Sequence, residues 1–181
     1  MLYTKKGDDG KTNIFGCDQR LSKSSAITEA LGCLDEMNSY LGVCKAQTHD
    51  LGFMIQYKKV WDIIHRIQNN LFIIQAEVAG ADKKIQEEEI KYIEDVIDSI
   101  EKELPEIKSF LISGANEISA HFDFARTLTR RAERRVVAVS DEKIATIDSK
   151  TLVYLNRLSS LLYALARQSA KESGKEISPK Y

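Results

Sequence analysis

Residues Ala120 to Val139 read AHFDFARTLTRRAERRVVAV, and the rest of the chain is organised around them. With successive residues turned by about 100°, Phe124, Ala125, Leu128, Ala132, Val136 and Val139 fall on one stripe, the mark of an amphipathic helix. Arg126, Arg130, Glu133 and Arg134 fall on nearly the opposite side, at i, i+4, i+7 and i+8. Arg131 and Arg135 flank the apolar stripe. One internal glutamate cannot pair so many guanidinium groups. Their surplus charge is spent either in solvent, as a salt-bridged bundle face, or on a polyanion, since arginine forks onto phosphate oxygens and stays charged at any working pH.

The chain around this helix has 181 residues, enough for one domain with a sizeable core. Glycine and proline number only 9 and 2, which disfavours an all-β or collagen-like chain. The net charge of −1 makes the arginine helix a local feature and argues against a general nucleic-acid binder. Three cysteines form no closed disulfide set. Cys33 and Cys44 lie about 16 Å apart along one helix, too far to bridge, and read as core residues of a reducing compartment. The start, MLYTKKGDDG, has no signal-peptide run, and no apolar stretch is long enough for a membrane span. The cytoplasm is the expected location.

Residues 1–24 are the long segment without helical periodicity. Thr4-Lys5-Lys6-Gly7-Asp8-Asp9-Gly10-Lys11-Thr12-Asn13 is rich in turn formers, hydroxyls and lysines. It reads either as a surface β-hairpin with an Asp-Gly turn or as a phosphate-cradling loop assisted by Lys5, Lys6 or Lys23. It is not a Walker A loop. Five helices follow. The first is expected over about 25–47, capped by Ser25, with Ile27, Leu31, Leu34, Leu41 and Cys44 buried. Gly32 and Gly42 within it suggest close approach of a neighbouring helix. Asp35, Glu36 and Asn38 form a polar window. The second is expected over about 53–81, with Val60, Ile64, Ile67, Leu71, Ile74 and Val78 inward. The third carries Ile90, Ile93, Ile97, Ile100 and Leu104 opposite an acidic face and stops at Pro105. An apolar loop with Phe110, Leu111 and Ile112 leads to Ser113 or Asn116, either of which could cap the arginine helix. The fifth is expected over about 149–173, with Leu152, Leu155, Leu162, Leu165 and Ser169 inward and Gly174 as its end.

The pattern predicts an all-α five-helix bundle. A domain layout follows: 1–181 as a single domain, with an N-terminal loop over 1–24, the bundle over 25–174 and a tail over 175–181. Asp62-x-x-His65 is half of a di-iron pattern, but the second Glu-x-x-His is missing, and no all-protein metal cage is expected. The arginine ridge points away from the core, so it needs a partner surface, and a homo-oligomer with a site between chains is expected.

Several segments, in order, resemble one family. TKKGDDGKTNIFG followed by RLSK, then EALGCLDEMNSYLG, LFIIQAEVAG, SFLISG, ARTLTRRAERRVV and YLNRLSSLLYALAR are similar to its signatures over nearly the whole chain. The chain resembles the PduO-type ATP:cob(I)alamin adenosyltransferases. The resemblance implies a ferritin-like five-helix bundle, trimeric, with an irregular N-terminal nucleotide-binding segment and ATP between subunits. It implies transfer of the 5′-deoxyadenosyl group to cob(I)alamin with release of triphosphate, assisted by Mg²⁺, and with a reductase supplying the electron for cobalt. By position, Thr4, Lys5, Lys6, Gly7, Thr12, Asn13 and Lys23 would embrace ATP, completed by Arg130, Arg131, Glu133, Arg134 and Asn156. Arg126 would pair with Asp35 across the interface, making Arg126, Arg130 and Asp35 the residues on which catalysis depends. Phe110 would pack on the lower face of the corrin. Lys6, Ser113, Ala115, Asp123 and Ser160 depart from the usual pattern. Those departures keep a second reading open, an ATP- or cobalamin-holding sensor or delivery module with little turnover. An RNA-binding bundle and a ferritin-like metal protein are disfavoured by the charge balance and the missing metal motif.

Overall fold

Asn116 opens the decisive helix. Its side chain accepts the Ser119 backbone N–H at 2.8 Å, while the Ser119 hydroxyl meets the Asn116 backbone N–H at 2.9 Å, a reciprocal capping box. Ser113, the other candidate cap, is exposed. The computed structural model describes residues 3–14, 20–50, 52–106, 109, 111–174 and 178–179. Within them a short hairpin pairs β1 (Lys11–Asn13) with β2 (Arg20–Ser22), antiparallel, with Thr12 opposite Leu21. α1 (Ala26–Asp50) follows, then β3 (Met54–Ile55) and β4 (Lys58–Lys59), then α2 (Val60–Val78), α3 (Glu87–Glu101), α4 (Glu117–Asp141) and α5 (Ser149–Ser173). No helix among the described residues is long and apolar enough to cross a membrane.

The packing order is α2 on α1, α1 on α4, α4 on α5 and α5 on α3. α4 therefore lies in the middle, with its core stripe of Phe122, Ala125, Leu128, Ala132, Val136 and Val139 fully inside. The expected inward residues of α1 and α2 are buried, apart from half-buried Leu31. Buried polar groups tie the helices together. Glu77 of α2 accepts the Asp148 backbone N–H at 2.7 Å and the Thr151 hydroxyl at 2.5 Å, at the start of α5. Asn70 donates to Glu89 at 2.6 Å and to the Tyr154 hydroxyl at 3.1 Å. Burial favours such pairing of polar groups.

The structure corrects several expectations. Residues 53–59 are not helical: Gly52 and Gln56 have φ of 60° and 53°, and the β3–β4 turn is built around the second of these. The period-two run Phe53-Met54-Ile55 leads into β3, with Phe53 and Ile55 buried and Met54 exposed. α3 ends at Glu101, before Leu104 and Pro105, because a residue preceding proline avoids the helical region. Val96 takes the core place assigned to Ile97, which is half-buried. Leu152 is half-buried too, while Tyr154 beside it is fully buried. Phe124 is 51% exposed rather than core, its ring edge-on to Tyr40 at 4.8 Å. A Cβ added at Gly32 would meet nothing within 4 Å, so no neighbouring helix within the chain requires that glycine. Phe110 and most of the 175–181 tail lie outside the described residues.

Candidate functional site

Helical geometry sorts the arginines of α4 into two sets. Arg131 and Arg135 lean toward α1. Arg131 pairs with Glu36, and Arg135 with Glu29 at 3.5 Å. The bond to Glu36 also holds the Arg131 pKa above its ordinary value. Arg126, Arg130 and Arg134 occupy the other ridge, at i, i+4 and i+8, and make no ion pair among the described residues. Arg126 is half-buried, and its Nε is enclosed without a hydrogen-bond acceptor.

Two cavities open along this ridge. A corner of about 260 Å³ is lined by Arg130, Glu133, Arg134, Val137 and Asn156. Asn156 is fixed there by donating to Glu133 Oε1 at 3.3 Å and accepting from Arg157 at 3.0 Å. Arg157 is itself held by Glu94 of α3 at 2.8 Å. Next to the corner lies a cleft of about 710 Å³ between α3, α4 and α5, whose apolar wall includes Ile97, Leu104 and Pro105. Arg126 and Arg130 line it, with Ser160 and Tyr163 from α5 and Glu101 and Glu106 facing them. Arg130 therefore borders both cavities. Among the described residues no group of three His, Cys, Asp or Glu could hold a metal ion.

The N-terminal residues form a second assembly. The Lys23 ammonium donates to the Gly7 carbonyl at 2.7 Å, and a Cβ on Gly7 would come within 2.9 Å of that nitrogen. Glycine is therefore required at 7 while lysine stays folded over it. Lys5 adopts φ 59° and Gly10 φ 77°, which turn the segment back on itself. Thr4 Oγ1 accepts the Lys6 backbone N–H at 3.4 Å. Arg20, the first residue of the RLSK segment, donates to Asp9 at 2.8 and 2.9 Å and to the Lys6 and Lys11 carbonyls. That guanidinium, with the Lys11 backbone N–H, holds the Asp9 carboxyl below its usual range. Thr12 and Asn13 border a third cavity, of about 470 Å³, with Thr28 and Leu31 of α1 and Phe72 and Gln75 of α2.

Sequence-predicted residues are thus gathered in two places. Arg130, Glu133, Arg134 and Asn156 meet at the corner, with Arg126 beside them. Thr4, Lys5, Lys6, Gly7 and Lys23 cluster in the folded N-terminal turn, and neither cavity at the ridge is lined by any of them. Arg131 is engaged by Glu36, and Asp35 is exposed on α1 without an ion pair among the described residues. Phe110 falls outside the described residues. Missed by sequence reading were Tyr163 and Arg167 of α5, which line the cleft, and the role of Asp123 as partner to Arg167 at 2.6 Å. That pair joins residues 44 positions apart and leaves no local signal.

The family profile for cobalamin adenosyltransferase matches residues 2–169. A corrinoid adenosyltransferase of Bacillus subtilis is 37% identical over 177 residues, 96% of this chain and 88% of the relative. The corrinoid adenosyltransferase PduO of Citrobacter freundii is 38% identical over 173 residues, 92% of this chain, which spans about half (49%) of that longer relative. A solved variant of a PduO-type ATP:corrinoid adenosyltransferase from Lactobacillus reuteri, complexed with cobalamin and ATP, superposes with a TM-score of 0.84 at 29% identity, covering 100% of this chain and 99% of that one. A cleft beside a cationic corner in a five-helix bundle, and similarity along the whole chain, lead to one conclusion: the chain belongs to the cobalamin adenosyltransferase family, in its PduO-type branch.

Proposed function

We propose that this protein transfers the 5′-deoxyadenosyl group of ATP to the cobalt of a reduced corrinoid and releases triphosphate. The observation that carries the reading is the position of Arg130 on both cavities. One guanidinium there reaches a small cationic corner suited to phosphates and a large, largely apolar cleft suited to a macrocycle. In the transfer, the cobalt(I) electron pair forms the bond to C5′, the C5′–O bond breaks, and its electrons leave on triphosphate. No protein nucleophile is required, because the metal centre of the substrate is the nucleophile. The protein's work is to hold C5′ in line and to stabilise charge growing on the leaving group. Arg130 and Arg134 supply fixed positive charge, and Asn156, fixed from both sides, supplies orientation. Mg²⁺ arriving on the triphosphate needs only one or two carboxylates besides phosphate and water, and Glu133 is the carboxylate at the corner. Phe110 is proposed, from the resemblance, to meet the lower face of the corrin.

The second half of the nucleotide site is proposed to come from another subunit. Thr4, Lys5, Lys6, Gly7, Thr12, Asn13 and Lys23 of one copy would close over Arg130, Arg131, Glu133, Arg134 and Asn156 of the next in a homotrimer. Asp35 and Arg126, each without an ionic partner among the described residues, support a pairing across that seam. Arg131 would leave Glu36 or share it with phosphate. The buried thiols Cys33 and Cys44 suit a reducing cytoplasm, where a reductase would deliver the electron to cobalt.

The test mixes the protein with ATP, Mg²⁺ and a corrinoid under strong reductant without oxygen and follows the cobalt spectrum and the released phosphates. A carbon–cobalt bond with one triphosphate per turnover is expected. Nucleotide binding without that bond would assign the chain to the sensor or delivery role instead.

A further inference from the structure

Asp123 and Arg167 form the most deeply buried ion pair among the described residues. Their side chains are 5% and 2% exposed, and Arg167 Nη2 donates to Asp123 Oδ2 at 2.6 Å. The Arg167 guanidinium also lies 5.1 Å from the centre of the Tyr163 ring. Both Arg167 and Tyr163 line the large cleft. On α4, Asp123, Arg126 and Arg130 follow one another at i, i+3 and i+7, and on α5 Ser160, Tyr163 and Arg167 do the same. Two opposed helical ridges thus meet at the buried pair.

This arrangement gives the cleft a gradient of charge. At its floor, Arg167 is neutralised inside the protein, beside Tyr163. Coulomb attraction is strong at such depth, and the cost of separating the pair keeps it closed. On the α4 side stand Arg126 and Arg130, without ionic partners among the described residues, and beyond them Arg134 in the corner. Glu101 and Glu106 also line the cleft, adding carboxylates that disfavour a polyanion there.

We infer that Asp123 is a positioning residue that sets specificity: by holding Arg167 it keeps the cleft floor neutral, confines a polyphosphate to the Arg130–Arg134 corner, and leaves the floor to the uncharged face of a large ligand. The inference rests on the proposed function for the identity of the two ligands. Without the Asp123 carboxylate, the cleft floor would become one unit more positive, and the triphosphate would have a competing seat where the macrocycle belongs.

Calorimetric titration of the full-length protein, in its native assembly, with inorganic triphosphate at two salt concentrations tests this. Asp123→Asn should bind triphosphate about fivefold more tightly, with a steeper loss of affinity in salt. Structural damage would not produce a gain. Asp123→Glu should behave as the unaltered protein. The double variant Asp123→Asn, Arg167→Met should return to within about twofold of the unaltered protein. A folded Asp123→Asn protein with unchanged or weaker binding would overturn the inference. So would a double variant that binds about fivefold more weakly, since Arg167 would then be an anion ligand itself. If Asp123→Asn does not fold, the double variant, which removes both charges of the pair, decides by the same criterion. Absence of triphosphate binding in the unaltered protein would count against the proposed function. Asp123→Asn would then still have to create a triphosphate site that the double variant lacks.

Discussion

Arg130 shows how one side chain serves two cavities. It lies on the exposed ridge of α4, outside the core stripe, so its loss removes charge without opening a void. Arg130→Ala is expected to lower turnover by about 10²-fold, the effect of deleting one preorganised donor to a leaving anion. Its thermal unfolding should stay within about 0.5 kcal/mol of the unaltered protein. A melt measured beside the steady-state assay checks both statements. Cys44 illustrates the opposite case. Burial pushes its thiol up to about 12, so it stays protonated and should resist alkylation near neutral pH until the protein is unfolded. Mass spectrometry after brief iodoacetamide treatment reads this directly. The arginine ridge was legible because its period is that of a helix. The Asp123–Arg167 bond was not, because nothing in either local stretch names a partner on another helix.

At the scale of elements, the arginine helix depends on its first turn. The Asn116 amide also reaches α5, donating to the Ser169 carbonyl at 2.7 Å and accepting from the Ser169 hydroxyl at 3.0 Å. Asn116→Ala therefore removes a cap and a clasp, and should cost about 1–2 kcal/mol in urea unfolding. Glu89 links α2 to α3 through Arg66 at 2.8 Å and Asn70 at 2.6 Å, and the Arg66 bond holds its pKa below the usual carboxylate value. A carboxyl whose folded-state pKa is depressed contributes stability that is fully present above its unfolded-state pKa and disappears as pH falls through the folded-state value. Glu89→Gln should accordingly lose less stability on acidification below the ordinary carboxylate range than the unaltered protein, as chemical denaturation at a series of pH values would show. The helices were readable from spacing of three and four. Residues 53–59 were not, because Phe53 and Ile55 continue the apolar count of α2 while Gly52 and Gln56 turn the backbone into a hairpin. Phe124 misled for a related reason: it sits at the border of the stripe, where a ring can turn outward onto Tyr40.

For the whole molecule, the division of the proposed nucleotide-binding residues between an N-terminal turn and a corner that none of that turn's residues lines is the feature that a single chain does not reconcile. An assembly of three copies is expected, with a mass near three times the 20.5 kDa of the chain by sedimentation. Asp35→Ala should weaken that assembly and its turnover together, since Arg126 would face a seam without its counterion. An unchanged sedimentation profile with an unchanged rate would reject the pairing. The bundle and the list of candidate residues could be read from one chain's sequence. Their convergence could not, because periodicity describes a single rod and the proposed seam belongs to several.

The clasp between Asn116 and Ser169 has a consequence for divergence within such proteins. It anchors the start of α4 independently of the residues that precede it, so the segment from 105 to 115 is pinned at its far end while its own composition can change. Under the proposed function, mutations there are expected to retune which macrocycle is accepted, while the proposed grip on phosphate, set downstream of the anchor, is inherited intact.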